Sequence, residues 1–258
     1  ITIPDRVTSI GWGVFEGCGS LTSITIPNSV TSIEDWAFSC CSSLSDVYYS
    51  GSEADWGKIK IGSRNDPLLA ATIHYFFTDV ISSAWYCDTV KQIYKLGLMT
   101  GMDSTHFGPD EKLSRAQFAV ILFRMAGSPA TEYSNKFPDV TSGQWYSESI
   151  SWASQNGVIN GYENGRFGLS DDITREQVAV ILYRYAKNFK DSSASPTGDL
   201  SKFKDAAKVS SFAAEAMKWA VGEGIISGTG DGRLNPQGNA TRAECAAMII
   251  RFVNRYGQ

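Results

Sequence analysis

Two internal repeats of different period, laid end to end, constrain this chain more than any other feature. Residues 1–23 (ITIPDRVTSIGWGVFEGCGSLTS) are followed at 24–46 by ITIPNSVTSIEDWAFSCCSSLSD, a period of 23. Ile1 repeats as Ile24, Ile3 as Ile26, Val7 as Val30, Ile10 as Ile33, Phe15 as Phe38, Cys18 as Cys41 and Leu21 as Leu44. So short a unit cannot bury its own apolar face, so each coil must stack on the next, with Leu21-x-x-Ile24-x-Ile26 as the strand of a coil. Cys18 and Cys41 are then expected to stack as small buried side chains. Residues 47–75 break the period and are expected to cap the last coil. Two coils and a cap are few for a stable solenoid, so further repeats are expected before residue 1, and the sequence reads as a piece of a longer protein.

A second repeat starts at Phe77 and recurs at Phe137 and Phe203. Its anchors are Asp79, Asp139 and Asp205; Gly97, Gly157 and Gly224; Gly101, Gly161 and Gly228; and Arg115, Arg175 and Arg242. The Asp-to-Arg spacing is 36, 36 and 37. Each copy reads as helix, turn, helix. The first helix carries apolar pairs at i, i+3 (Val90 and Ile93, Ile150 and Ala153, Met217 and Ala220) and ends at the first glycine, which suits a left-handed C-cap. The second begins at a capping box, with Ser114, Thr174 or Thr241 at the N-cap and Gln117, Gln177 or Glu244 three residues on. Behind the first box Phe118, Ala119, Leu122 and Met125 define a buried face, with equivalents in the other copies. The Ser/Pro/Gly stretch 191–201 reads as a linker.

Composition narrows the function. Lys+Arg 23 against Asp+Glu 27 gives a net charge of −4, which argues against a nucleic-acid partner or a polybasic membrane-surface protein. Apolar runs such as Phe118–Phe123 are too short to span a membrane. The two histidines, His74 and His106, lie far apart, and the five cysteines form no CxxC pair, so no metal, cofactor or disulfide framework is expected. The sequence shows no nucleophile elbow, zinc-protease, P-loop or dinucleotide signature, and an enzyme is not expected. Loops such as Asp103-Ser104 and Asp231-Gly232 lack a repeated calcium spacing.

Residues 1–76, including the YSGSEADW…IHY ending, resemble the BspA-type leucine-rich repeats of bacterial surface proteins. The F-x-D starts, Trp85 and Trp145, the paired glycines, the Gly161-Tyr162-x-x-Gly165-x-Phe167 turn and the S/T-R-[AE]-[QE] boxes resemble the S-layer homology (SLH) family. Together these likenesses imply an α+β multidomain chain. A short leucine-rich solenoid with its cap (1–76) would precede a mainly α, pseudo-threefold trimer of copies (77–127, 137–188, 203–255) around a central helical bundle, with grooves between copies. They imply an extracellular location at the cell wall of a Gram-positive-type envelope. The implied partner is secondary cell-wall polysaccharide, often ending in a sugar with a pyruvate ketal. The solenoid's own ligand stays open between a protein, a glycan and none.

On that resemblance, each box helix would offer free backbone N–H groups and a positive dipole end to the ketal carboxylate. Arg115, Arg175 and Arg242 would grip it. Gly101, Gly161 and Gly228 would let backbone approach the sugar. Trp85, Trp145 and Tyr162 would offer flat faces, although the two tryptophans also suit a partly buried role. Asp79, Asp139 and Asp205 would accept sugar hydroxyls, orient the arginines, or cap a helix. Arg124, Arg184 and Arg251, nine residues after each box arginine, favour the helix dipole and are assigned no ligand. Copy three has Phe212, Thr229 and Leu234 where copy two has Trp145, Tyr162 and Phe167, so the grooves are not expected to bind equally. The alternatives are a surface-layer component that assembles laterally and the anchor of a larger wall-attached enzyme.

Overall fold

The computed structural model describes residues 1–51, 53–81, 83–103, 105–190 and 194–257. Of the expected linker, Asp191–Ser193 lie outside the described residues, as does Ser104 of the loop weighed for calcium. The chain forms two compact units, Ile1–Ala84 with Gly101–Phe107, and Trp85–Thr100 with Gly108–Gln258. The first copy of the long repeat is therefore divided, with Phe77, Asp79 and the loop 101–107 in the first unit and its helices in the second.

The first unit holds two parallel three-stranded sheets. One is ordered β1 (Ser9–Ile10), β3 (Ser32–Ile33), β5 (Lys60–Ile61). The other is ordered β2 (Ser23–Ile26), β4 (Asp46–Tyr49), β6 (Thr72–Tyr75). Ser9 pairs with Ser32 and Ser23 with Asp46, so the sequence period is the sheet register. Alternation buries Ile24, Ile26 and Val47 on one face, and Phe15 stacks on its repeat partner Phe38 with ring centroids 5.1 Å apart.

The expected cap does more than cover. Through β5 and β6 it extends both ladders, with Ser32 opposite Lys60 and Asp46 opposite Thr72. It forms a third, longer coil whose extra residues fold as two short helices, α1 (Glu53–Trp56) and α2 (Asp66–Ala70). Asn65 binds this coil to its neighbour. Its side chain is buried, accepts from Phe38 N at 2.9 Å and donates to Glu34 O at 2.9 Å and Gly62 O at 3.0 Å. Cys41 is buried, Cys18 partly so, and both are free thiols.

The second unit is helical. Its elements are α3 (Cys87–Lys95), α4 (Arg115–Met125), α5 (Ser147–Gln155), α6 (Arg175–Arg184), α7 (Ala214–Gly222) and α8 (Arg242–Tyr256). All three capping boxes form, with Ser114, Thr174 and Thr241 each bonded reciprocally to the residue three positions on. Gly97, Gly157 and Gly224 adopt φ of 68°, 63° and 71° just past the first helices, where a side chain would be strained. The expected apolar faces are buried.

Packing, however, runs between copies. The main contacts of the box helices are α4 with α5, α6 with α7, and α8 with α3, so each box helix lies against the first helix of the next copy and the last returns to the first. The residues two before each box arginine close the same circuit in backbone. Leu113 N donates to Ala240 O at 3.3 Å, Ala240 N to Ile173 O at 2.9 Å, and Ile173 N to Leu113 O at 2.9 Å, all three residues being fully buried.

Candidate functional site

The circuit decides what the helix tips can do. A helix N-terminus leaves its first N–H groups without intrahelical partners. Here the neighbouring copy takes them. Arg115, Arg175 and Arg242 N donate to Asp171, Gly238 and Glu111 O at 2.9, 3.0 and 2.8 Å. The next residues, Ala116, Glu176 and Ala243, donate to Leu169, Pro236 and Pro109 O. The third N–H is held by the cap. The expectation of free N–H groups awaiting an anion is therefore corrected: the tips are used to join the copies.

The arginines join them too. Arg115, Arg175 and Arg242 are only 4, 5 and 6% exposed, not the solvated charges usual in a first turn. Arg115 Nε donates to Phe167 O at 3.0 Å and its Nη2 to Asn160 O at 3.2 Å. Arg175 repeats the pair on Leu234 O at 2.8 Å and Ser227 O at 2.9 Å, and Arg242 Nη2 reaches Thr100 O at 2.7 Å. Part of each guanidinium thus holds the next copy's glycine loop. The rest of the Arg115 and Arg175 side chains lines a cavity in each case.

The first cavity, about 740 Å³, is lined by Arg115, Tyr162, Gln177, Arg184 and Phe212, among others. The Arg115 guanidinium lies 4.4 Å from the Tyr162 ring centroid, and its Nη1 makes no protein hydrogen bond among the described residues. Arg184 likewise has no hydrogen-bond partner among them. Burial pulls both guanidinium groups below their usual range, although they remain charged at any ordinary pH. Among the described residues neither is in ion-pair contact with a carboxylate. Glu163 is exposed on the loop at the rim, and Asp171 and Asp139 act on Arg115 only through space. One partly bonded guanidinium and one without a hydrogen-bond partner among the described residues thus line a cavity with an aromatic face, an arrangement with the chemistry to accept an anion.

The second cavity, about 260 Å³, is built from the equivalent parts: Arg175, Gly228, Thr229, Glu244 and Arg251, with Trp85. Here Arg175 Nη1 donates to Glu244 Oε1 at 2.9 Å, and Arg251 is tied to Ile225 O and Ser227 Oγ.

Other expected site residues take different places. Asp139 accepts from Phe167 N and Gly168 N, each at 2.8 Å, and Asp205 from Leu234 N and Asn235 N, also at 2.8 Å. Asp79 accepts from Phe107 N within the first unit. These carboxylates clamp a loop of their own copy, and among the described residues neither Asp139 nor Asp205 is bonded to a box arginine. Gly101, Gly161 and Gly228 have ordinary φ. A Cβ there would strike Phe77, Phe137 or Phe203 and a loop carbonyl, so packing inside the copy already demands glycine. Trp85 and Trp145 are 64 and 63% exposed, each edge-on to the tyrosine that follows, so the expectation of partial burial is corrected. Trp85 lines the second cavity, and Phe212, at the same repeat position, lines the first. Arg184 and Arg251, read from sequence as dipole partners, are cavity residues. Their recurrence nine residues after each box was the available signal.

Arginine-bearing clefts between tandem helical copies, each cleft assembled from more than one copy, define a class of multi-copy helical module. Comparison with known proteins places the chain more closely. The S-layer homology domain matches residues 76–119, 136–179 and 202–246, and the BspA type leucine rich repeat region matches 1–59. The chain belongs to the S-layer homology domain family and carries BspA-type leucine-rich repeats at its N-terminal end. It is 31% identical over 173 residues to an endoglucanase of Bacillus sp. (strain KSM-635), covering 67% of this chain and 18% of that protein. It is 29% identical over 181 residues to the S-layer protein sap of Bacillus anthracis (70% and 22%), and 29% over 174 to the surface-layer 125 kDa protein of Lysinibacillus sphaericus (66% and 14%). The chain thus spans less than a quarter of each of these relatives. Its family and its surface-layer relatives place it outside the cell, at the surface of a Gram-positive-type envelope. No helix among the described residues is long and apolar enough to cross a membrane.

Proposed function

We propose that the helical unit anchors a surface protein to the bacterial cell wall by non-covalent capture of secondary cell-wall polysaccharide bearing an acidic substituent, a pyruvate ketal in the first instance. The observation that carries this reading is the 740 Å³ cavity, where Arg115 lies over the Tyr162 ring and Arg184 shares the lining, neither arginine being ion-paired to a carboxylate among the described residues. A ketal fixes a carboxylate rigidly on a pyranose ring. The ring would lie against Tyr162 and Phe212 while the carboxylate took the open Nη1 of Arg115 and the guanidinium of Arg184.

The copies 77–127, 137–188 and 203–255 are read as a pseudo-threefold bundle, which the circuit of backbone and arginine contacts supports. Residues 1–76 are read as the end of a solenoid that the anchor displays, as an adhesive or structural module. The likeness to an endoglucanase as well as to surface-layer proteins supports a second reading, in which the same anchor serves a wall-attached enzyme. The test is sedimentation of the full chain with purified wall material before and after chemical removal of the ketals. Binding should be lost on removal; equal binding to both preparations refutes an acidic ligand.

A further inference from the structure

The third residue of the second and third capping boxes lies in a cavity with the groove arginine supplied by the preceding copy, and it differs between the two cavities. In the first cavity it is Gln177, an amide whose Oε1 accepts from Thr174 N at 3.2 Å. In the second it is Glu244, whose Oε2 accepts from Thr241 N at 2.9 Å while its Oε1 takes Arg175 Nη1 at 2.9 Å. Gln and Glu serve the box equally well, because either supplies an oxygen to the N-cap N–H. The choice between them is therefore free for another purpose.

Its consequence falls on the arginine. Arg115 and Arg175 make the same two loop bonds, through Nε and Nη2. They differ at Nη1, which is open in the first cavity and neutralised by a side chain of the protein in the second. The neighbouring cation follows the same division, Arg184 having no hydrogen-bond partner among the described residues and Arg251 being bonded to Ile225 O and Ser227 Oγ.

We propose that the third box residue sets the charge selectivity of each groove: Gln177 leaves the Arg115 groove open to acidic sugars, while Glu244 occupies the carboxylate position of the Arg175 groove and restricts it to uncharged ones. This rests on the proposed function, since it assumes that an acidic sugar is the ligand. A carboxylate entering the second groove would have to displace Glu244 or lie beside it, and like charges that close oppose each other strongly. One wall polymer with both acidic and neutral residues would then be read at two positions by one chain.

Two conservative substitutions exchange the rule while keeping both boxes. Titration calorimetry of the full chain with a methyl hexosaminide carrying a 4,6-pyruvate ketal, and with the same sugar lacking it, reads the outcome. Glu244→Gln should raise the number of ketal-sugar sites by one. Gln177→Glu should lower it by one, with at least a tenfold loss of affinity at that groove, and unchanged melting curves would show that the folds are intact. Wild-type protein that binds the ketal sugar but keeps the same site count and affinity in both variants overturns the inference and leaves the anchoring reading standing. Wild-type protein that takes no ketal sugar, and sediments equally with ketal-free wall, overturns both.

Discussion

At the scale of single residues, the box arginines are structural before they are anything else. Arg175→Ala would leave Leu234 O and Ser227 O without donors and Glu244 without its cation, in a site where the arginine is 5% exposed. A loss of about 3 kcal/mol is expected, measured by urea unfolding, and Arg175→Lys should not rescue it because an ammonium cannot span both carbonyls. Sequence placed this arginine correctly in the first turn of a helix. Its burial was not legible, because its partners lie 52 and 59 residues away and belong to another copy. The clamp carboxylates carry a pH signature. Burial acts to raise Asp139 and Asp205, but the backbone N–H groups they accept from outweigh it and hold both below the ordinary carboxylate value. A depressed native pKa adds stability above the unfolded value, near 4, and loses it as pH falls through the native one. The Asp139→Asn, Asp205→Asn double variant should therefore lose less of its stability between pH 5 and pH 2 than the parent, by urea midpoint, since about two protonation-linked contributions are gone.

At the scale of elements, what was legible was local. The boxes, the glycine caps and the buried faces depend on residues three or four apart, and all formed as read. The partner of each helix was not. Periodicity says that a helix has an apolar face, not whether that face meets its own copy or the next, and α4 meets α5. The same limit applies to the N-terminal repeats. A broken period suggested a cap after Asp46, but strand register tolerates a longer coil, and β5 and β6 continue the ladders across offsets of 28 and 26. Asn65 makes that continuation possible by satisfying backbone groups of two coils at once. Asn65→Ala should cost about 2–3 kcal/mol of the first unit's stability, because Phe38 N, Glu34 O and Gly62 O lose a buried partner together. A thermal melt followed by near-ultraviolet circular dichroism checks it; an unchanged midpoint would mean that water replaces the amide.

At the scale of the second unit as a whole, the three copies do not form a row with two ends. In a linear array each unit depends on its neighbours alone and terminal units fray first. Here Leu113, Ile173 and Ala240 are mutually bonded, so opening any one breaks bonds to both others. Their three amides should exchange with solvent hydrogen at the same slow rate, set by global unfolding, although they lie in separate sequence copies. Faster exchange at Ala240 than at the other two would show that the third copy opens independently. If the unit anchors a surface protein to the wall as proposed, the closed circuit has a mechanical meaning. Tension on the chain cannot peel the copies away one after another, as it would unzip a stack from its end; it must rupture several linkages at once, so the anchor should hold its load up to a threshold and then give way in a single step.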